Sequence, residues 1–179
     1  MSLSAEGPVL RLRPERRSAL VTVPVLLAGP ALLVVGAAQP SSTALLVGLG
    51  LTGYTLRDLV IMAWGFTEGW PDCLRNRLAE GRTEVAWETV ERLVIMHGLF
   101  GRHVRMEARN ADRVSLAAPR TGLITRSPDF DAELLALRAM PGGNRGPLHV
   151  QTAASAPLIA VQVLLLLGFV GAVLIAVLT

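Results

Sequence analysis

The chain has 179 residues, about half of them apolar, with a formal net charge of +3 and a mean hydropathy of +0.48. All 17 basic residues are arginine, and once the group at Arg11, Arg13, Arg16 and Arg17 is set aside the rest is close to neutral, so no footprint for nucleic-acid binding is present. The lone cysteine, Cys73, excludes an intramolecular disulfide framework and a multi-cysteine metal site.

Residues 1–17 form an Arg-rich N-terminus. From there to Arg57 no residue is charged, and none is charged from Gly146 to Thr179. A bilayer core takes roughly 20 apolar residues per helix, so the first stretch holds one full transmembrane span and the outer part of a second, and the last stretch holds a third. The first span runs from Ser18 to Ala38 with Pro24 and Pro30 inside it, which membrane helices tolerate, usually with a kink. Its Arg-rich start and small residues at Gly36 and Ala38 imitate a signal peptide. The apolar run exceeds the roughly 7–15 residues of a signal h-region, however, and another apolar segment follows at once. A retained transmembrane hairpin over residues 18–66 is the better reading.

The second span begins at Thr43 and ends at Trp64 or Phe66. Arg57 and Asp58 lie in its inner third, about 100° apart on a helix and therefore unable to pair with each other. They are expected near the headgroups, with Arg57 snorkelling and Tyr54, Trp64 and Phe66 as an aromatic belt; an intramembrane functional site is the alternative. Arginines precede the first span and follow the second at Arg75, Arg77 and Arg82, while the connection Gln39–Ser42 is uncharged. Positive-inside bias therefore places the N-terminus and the middle of the chain in the cytoplasm. The C-terminal span over 155–179 then leaves Thr179 outside.

The middle region, 67–141, carries the soluble structure. A first strand is expected around Glu68–Leu78, interrupted by Pro71, with further strands at Thr83–Trp87 and Leu93–His97. Val104, Met106 and Ala108 alternate with His103, Arg105, Glu107 and Arg109, the period of a half-buried strand. Asn110-Ala111-Asp112 turns the chain into another strand at Arg113–Ala117. One amphipathic helix follows, with Ser127 as N-cap, Pro128 at its first position and Asp129 and Asp131 in its first turn. Phe130, Leu134 and Leu137 form its apolar stripe, and Pro141-Gly142-Gly143 ends it. Trp87, Val104, Met106, Leu116, Phe130 and Leu134 should share one core. Residues 142–154 read as a flexible linker.

This order of elements resembles the PH-like domains of small bacterial membrane proteins. The likeness is carried by Thr83 to Arg92 with its Trp87-x-x-Val90 element, by the hairpin Gly98-Leu99-Phe100-Gly101-Arg102, by the strand end Val114 to Pro119, and by the helix start Ser127-Pro128-Asp129-Phe130-Asp131. It covers about 75 residues. A strand interrupted at Pro71 and a span after the domain depart from the pattern. The resemblance implies an antiparallel β domain capped by a C-terminal helix, serving as a scaffold or binding module, and it brings no catalytic residues.

No enzyme signature stands beside it. Gly48-Leu49-Gly50-Leu51-Thr52-Gly53 spells the dinucleotide fingerprint but lies inside an apolar helix with no preceding strand; Gly48, Gly50 and Gly53 are instead expected to let helices pack closely. His97, His103 and His149 lack the companions of a metal site, and Cys73 has no assignable base. The expectation is a non-catalytic protein without metal or cofactor. The informative surface is the hairpin tip, where Leu99 and Phe100 are flanked by His97, Arg102, His103 and Arg105. Either the two apolar residues fold into the domain core, or the tip dips into the bilayer interface while its arginines meet anionic headgroups. The sequence therefore reads as a multi-pass protein of a bacterial plasma membrane whose cytoplasmic β domain binds lipid or protein partners, another membrane protein or a second copy among them. An accessory subunit of a membrane transporter or enzyme complex is the alternative.

Overall fold

The computed structural model describes residues 7–17, 19–39, 41–109, 112–140 and 147–178. Three of its helices are long and apolar enough to cross a membrane: α1 (Ala19–Ala38), α2 (Ser42–Trp64) and α4 (Ala156–Leu178). Pro24 and Pro30 lie within α1. Ser41 caps α2, its hydroxyl accepting the Ala44 N–H at 3.4 Å. Leucines and valines remain exposed on all three helices, among them Leu20, Val34, Leu46, Leu49, Leu164 and Leu167. An apolar belt of that extent is costly in water and favourable in lipid.

The remaining elements form two four-stranded sheets and a short ribbon. One sheet has the order β1 (Leu10–Leu12), β3 (Phe66–Gly69), β4 (Cys73–Leu78), β5 (Gly81–Ala86), all antiparallel. In the other, β10 (His149–Ala154) lies parallel to β6 (Val90–Gly98), and β7 (Gly101–Ala108) and β8 (Arg113–Arg120) follow antiparallel. β2 (Glu15–Arg16) pairs with β9 (Thr125–Arg126). The helix α3 (Phe130–Ala139) lays Phe130, Leu134 and Leu137 on the core. That core also gathers Leu74, Trp87, Val90, Leu93, Val104, Met106, Leu116 and Leu148, so the six residues expected to share a core do so. Where the sheets meet, Asn76 of β4 donates to the Ser115 carbonyl of β8 at 2.9 Å and accepts the Ala117 N–H at 2.8 Å. Thr67 of β3 accepts the Ala118 N–H beside it at 3.1 Å.

Four expectations need correction. Part of the Arg-rich N-terminus is sheet: β1 and β2 add to strands that arrive after the helical hairpin, so the β unit is assembled from separated stretches of chain. Residues 142–154 are not a linker throughout. Residues 142–146 lie outside the described residues, but His149–Ala154 is a strand hydrogen-bonded along β6. The strand expected over Glu68–Leu78 is two strands, because Pro71 supplies no amide N–H and falls in the turn between them. The N-cap of α3 is Asp129 rather than Ser127. Its carboxylate accepts the Ala132 N–H at 3.1 Å, while the buried Ser127 hydroxyl accepts the Arg120 N–H at 2.8 Å. The turn residues Asn110 and Ala111, the stop Pro141-Gly142-Gly143, and Ser18 and Thr179 lie outside the described residues.

Both routes between helix and sheet are short. Gly65 alone separates α2 from β3, and Ser155 alone separates β10 from α4. The sheets are therefore held directly against one end of the helical bundle.

Candidate functional site at the helix–sheet junction

Asp58 is the only carboxylate in the three apolar helices, and it is 2% exposed. Its Oδ1 accepts from Arg120 Nη2 at 3.0 Å, joining α2 to the end of β8. Gly122 follows that strand, and a Cβ there would stand 2.6 Å from Asp58 Oδ2, so only glycine lets the loop pass the carboxylate. Among the described residues, Asp58 Oδ2, Thr125 Oγ1 and Arg120 Nε find no hydrogen-bond partner. Arg57, one residue earlier and on another face, pairs at 2.8 Å with Glu80 in the β4–β5 turn. The headgroup reading is thus corrected for Asp58, which is enclosed by protein and fastens the sheet to the helix, whereas Arg57 is exposed.

A second fastening involves the hairpin tip. Gln162 of α4 is 1% exposed. Its Oε1 accepts the Leu99 N–H at 2.6 Å and its Nε2 donates to the Tyr54 hydroxyl of α2 at 2.9 Å. The Phe100 ring meets Tyr54 edge to face at 6.4 Å. The tip therefore lies outside the domain core: the Leu99 backbone is held to α4 and the Phe100 ring meets α2, while Leu99 stays 47% exposed. The tip is held from the other side as well. The Thr121 N–H donates to the Arg102 carbonyl at 2.6 Å, and Gly101 runs so close to Thr121 that no Cβ would fit.

The other hairpin residues divide. Arg102 turns to α3, with its guanidinium 4.0 Å above the Phe130 ring and 3.1 Å from Asp131. His97 is exposed, and its carbonyl accepts the Ser155 N–H at 3.1 Å. His103 and Arg105 face a cleft of about 370 Å³ between α2, α4 and the β6–β7–β8 sheet. Arg57, Arg120, Ser115, Thr121 and Ser155 also line it, with Met96 and Leu158 as apolar wall, and none of its lining residues is a carboxylate. Burial, and then the positive charges of Arg120, Arg57 and Arg105, push the His103 imidazole down to about 4, so it is neutral at pH 7. Burial likewise draws Arg120 below the ordinary guanidinium value while Asp58 holds it up. Arg105 donates to Glu107 at 2.6 Å, a carboxylate that also takes Arg92 at 2.8 Å.

Of the helix glycines, Gly48 and Gly50 stand at close approaches. A Cβ at Gly48 would lie 3.0 Å from Leu33 of α1, and one at Gly50 would lie 2.6 Å from Leu165 of α4. A Cβ at Gly53 would meet nothing within 4 Å, so no close approach within the described residues depends on it. Burial and the neighbouring Glu84 push the Cys73 thiol up to about 11, so it is not an activated nucleophile. Among the described residues no cluster of His, Cys, Asp or Glu could hold a metal ion. His149 is exposed on β10.

Sequence reasoning missed Arg120, Gln162 and Gly122. Gln162 did leave a signal: it is the single amide or charged side chain after Ser155, and an amide inside an apolar helix needs a partner.

No family model, no curated protein and no solved structure matches this chain.

Proposed function

We propose that this chain is a non-catalytic module of a bacterial plasma membrane, anchored by three transmembrane helices and displaying a PH-like β domain that binds protein or anionic-lipid partners. The observation that carries the reading is the union of an apolar three-helix bundle with a β unit fixed to one of its ends. Two packed sheets with one helix closing the core, and Trp87 and Val90 both inside it, support the PH-like part. The added strands β1 and β10 are departures from that pattern. Arginines concentrated on the β side favour a cytoplasmic domain.

Cysteine-accessibility mapping in a Cys73→Ala background tests this. Positions near Ser42 should react from outside and positions near Arg113 only from inside. Reaction at Arg113 from the outer face would overturn the orientation.

A second reading, an accessory subunit of a larger membrane complex, draws on a groove between α1 and α4. It is lined by Ala28, Ala31, Leu32, Phe169, Ala172 and Val173, with a volume of about 420 Å³ and small residues that would admit a neighbouring helix. Purification in mild detergent should then bring down a second membrane chain in fixed ratio.

A further inference from the structure

We propose that the cleft between the sheet and the apolar helices is a binding site for a phosphate group, presented as the headgroup of an anionic phospholipid whose acyl chains run along α4. This rests on the reading that the three helices span a bilayer.

The chemistry of the lining comes first. Arg57, Arg105, Arg120 and the neutral His103 line the cleft, and the carboxylates that pair with the three arginines, Glu80, Glu107 and Asp58, lie outside its lining. Two of those guanidinium groups are incompletely used. Among the described residues, Arg120, with a side chain 10% exposed, gives Nη2 to Asp58 and has no partner for Nε, and Arg105 gives Nη2 to Glu107 and has none for its buried Nε. A buried N–H without an acceptor is unfavourable, and guanidinium donors match phosphate oxygens in geometry as well as charge. Ser115, Thr121 and Ser155 add hydroxyls to the same walls. Ser155 also stands at the start of the long helix α4, whose positive end favours an anion.

Depth and shape point to a lipid rather than a free anion. The fifteen residue steps from Ser42 to Arg57 rise roughly 22 Å, which brings Arg57 towards the inner edge of a hydrocarbon core about 30 Å thick. Beyond the cleft wall at Leu158, Val161 and Leu164 of α4 are 51% and 68% exposed, apolar surface open to acyl chains. The volume of about 370 Å³ suits one headgroup.

The test uses the full chain in neutral detergent, with retained lipid counted by native mass spectrometry after exposure to phosphatidylglycerol or phosphatidylcholine. Alkaline carbonate extraction comes beforehand, and release of the protein at that step would sink the spanning reading itself. Wild type should retain one phosphatidylglycerol at least tenfold more readily than phosphatidylcholine. Arg57→Gln with Arg105→Gln should lower that retention at least tenfold, while Arg82→Gln with Arg109→Gln, the same loss of charge at exposed sites elsewhere, should not. Equal retention by the two double variants, or no preference between the lipids, overturns the proposal. If the cleft variant fails to fold, the His103 imidazole resonance of wild type decides. Short-chain phosphatidylglycerol should shift it saturably, and no saturable shift overturns the site. Inorganic phosphate acting at the same concentrations would overturn the lipid as its source.

Discussion

The core of the β unit and its junction with the apolar helices both bring buried side chains together, yet they are held by opposite means. The core is a continuous set of aliphatic and aromatic side chains from Leu74 to Leu148 without a charge. The junction is held by an ion pair, an amide bonded on both sides, and arginines around a cleft. Apolar packing is tolerant of shape-conserving exchange. A buried ion pair is intolerant of losing one member but tolerant of losing both. The core therefore supplies stability, while the junction fixes where the sheets sit on the helices.

The largest effects should test that difference directly. Trp87→Ala and Phe130→Ala should each cost about 3–5 kcal/mol, measured on the full chain by thermal unfolding in detergent, because β1 and β10 lie outside 67–141. Arg120→Met, a swap the core would accept, should cost a similar 3–5 kcal/mol by stranding Asp58. Adding Asp58→Leu should recover most of it. A cycle in which the two losses simply add would mean that the pair does not couple helix to sheet.

Acid should weaken the junction next. The His103 pKa is near 4 in the fold against 6.5 for a free imidazole. Its neutral form therefore favours the fold fully above pH 6.5, and that contribution is lost as pH falls towards 4. The loss should amount to on the order of 2–3 kcal/mol. Unfolding midpoints of wild type and His103→Asn, compared across that window, should converge or cross as pH falls; parallel curves would place His103 in solvent.

Gln162→Leu should cost roughly 1–2 kcal/mol and speed hydrogen exchange at the Leu99 amide while leaving the amides of Leu93 and Val104 protected. Smallest is Arg57→Ala. Its pair with Glu80 is open to solvent on both sides, and the loss should stay under about 1 kcal/mol.

The same contrast explains what could be read from the sequence. The apolar helices announce themselves by uncharged runs, and the core strands by alternation at Val104, Met106 and Ala108, both local signals. At the junction Asp58 and Gln162 stand out locally as polar residues in apolar helices, but nothing local names their partners. Asp58 and Arg120 are 62 residues apart, Gln162 and Leu99 are 63, and Gln162 and Tyr54 are 108. β1 and β2 were hidden because strands of three and two residues are too short to show a period. β10 was hidden because His149 to Ala154 is small and polar, with exposure along most of its length. Of the hairpin residues singled out from sequence, His103 and Arg105 reach the cleft, Leu99 and Phe100 reach the helices, and Arg102 and His97 serve other contacts.

The central claim is that the sheets are fixed to the helical bundle rather than tethered to it. Pulsed dipolar spectroscopy between spin labels at Arg82 on β5 and Leu46 on α2, in a Cys73→Ala chain reconstituted in lipid, measures this directly. The account predicts one narrow distance distribution that broadens in the Arg120→Met variant. A broad distribution in the unaltered junction would contradict it.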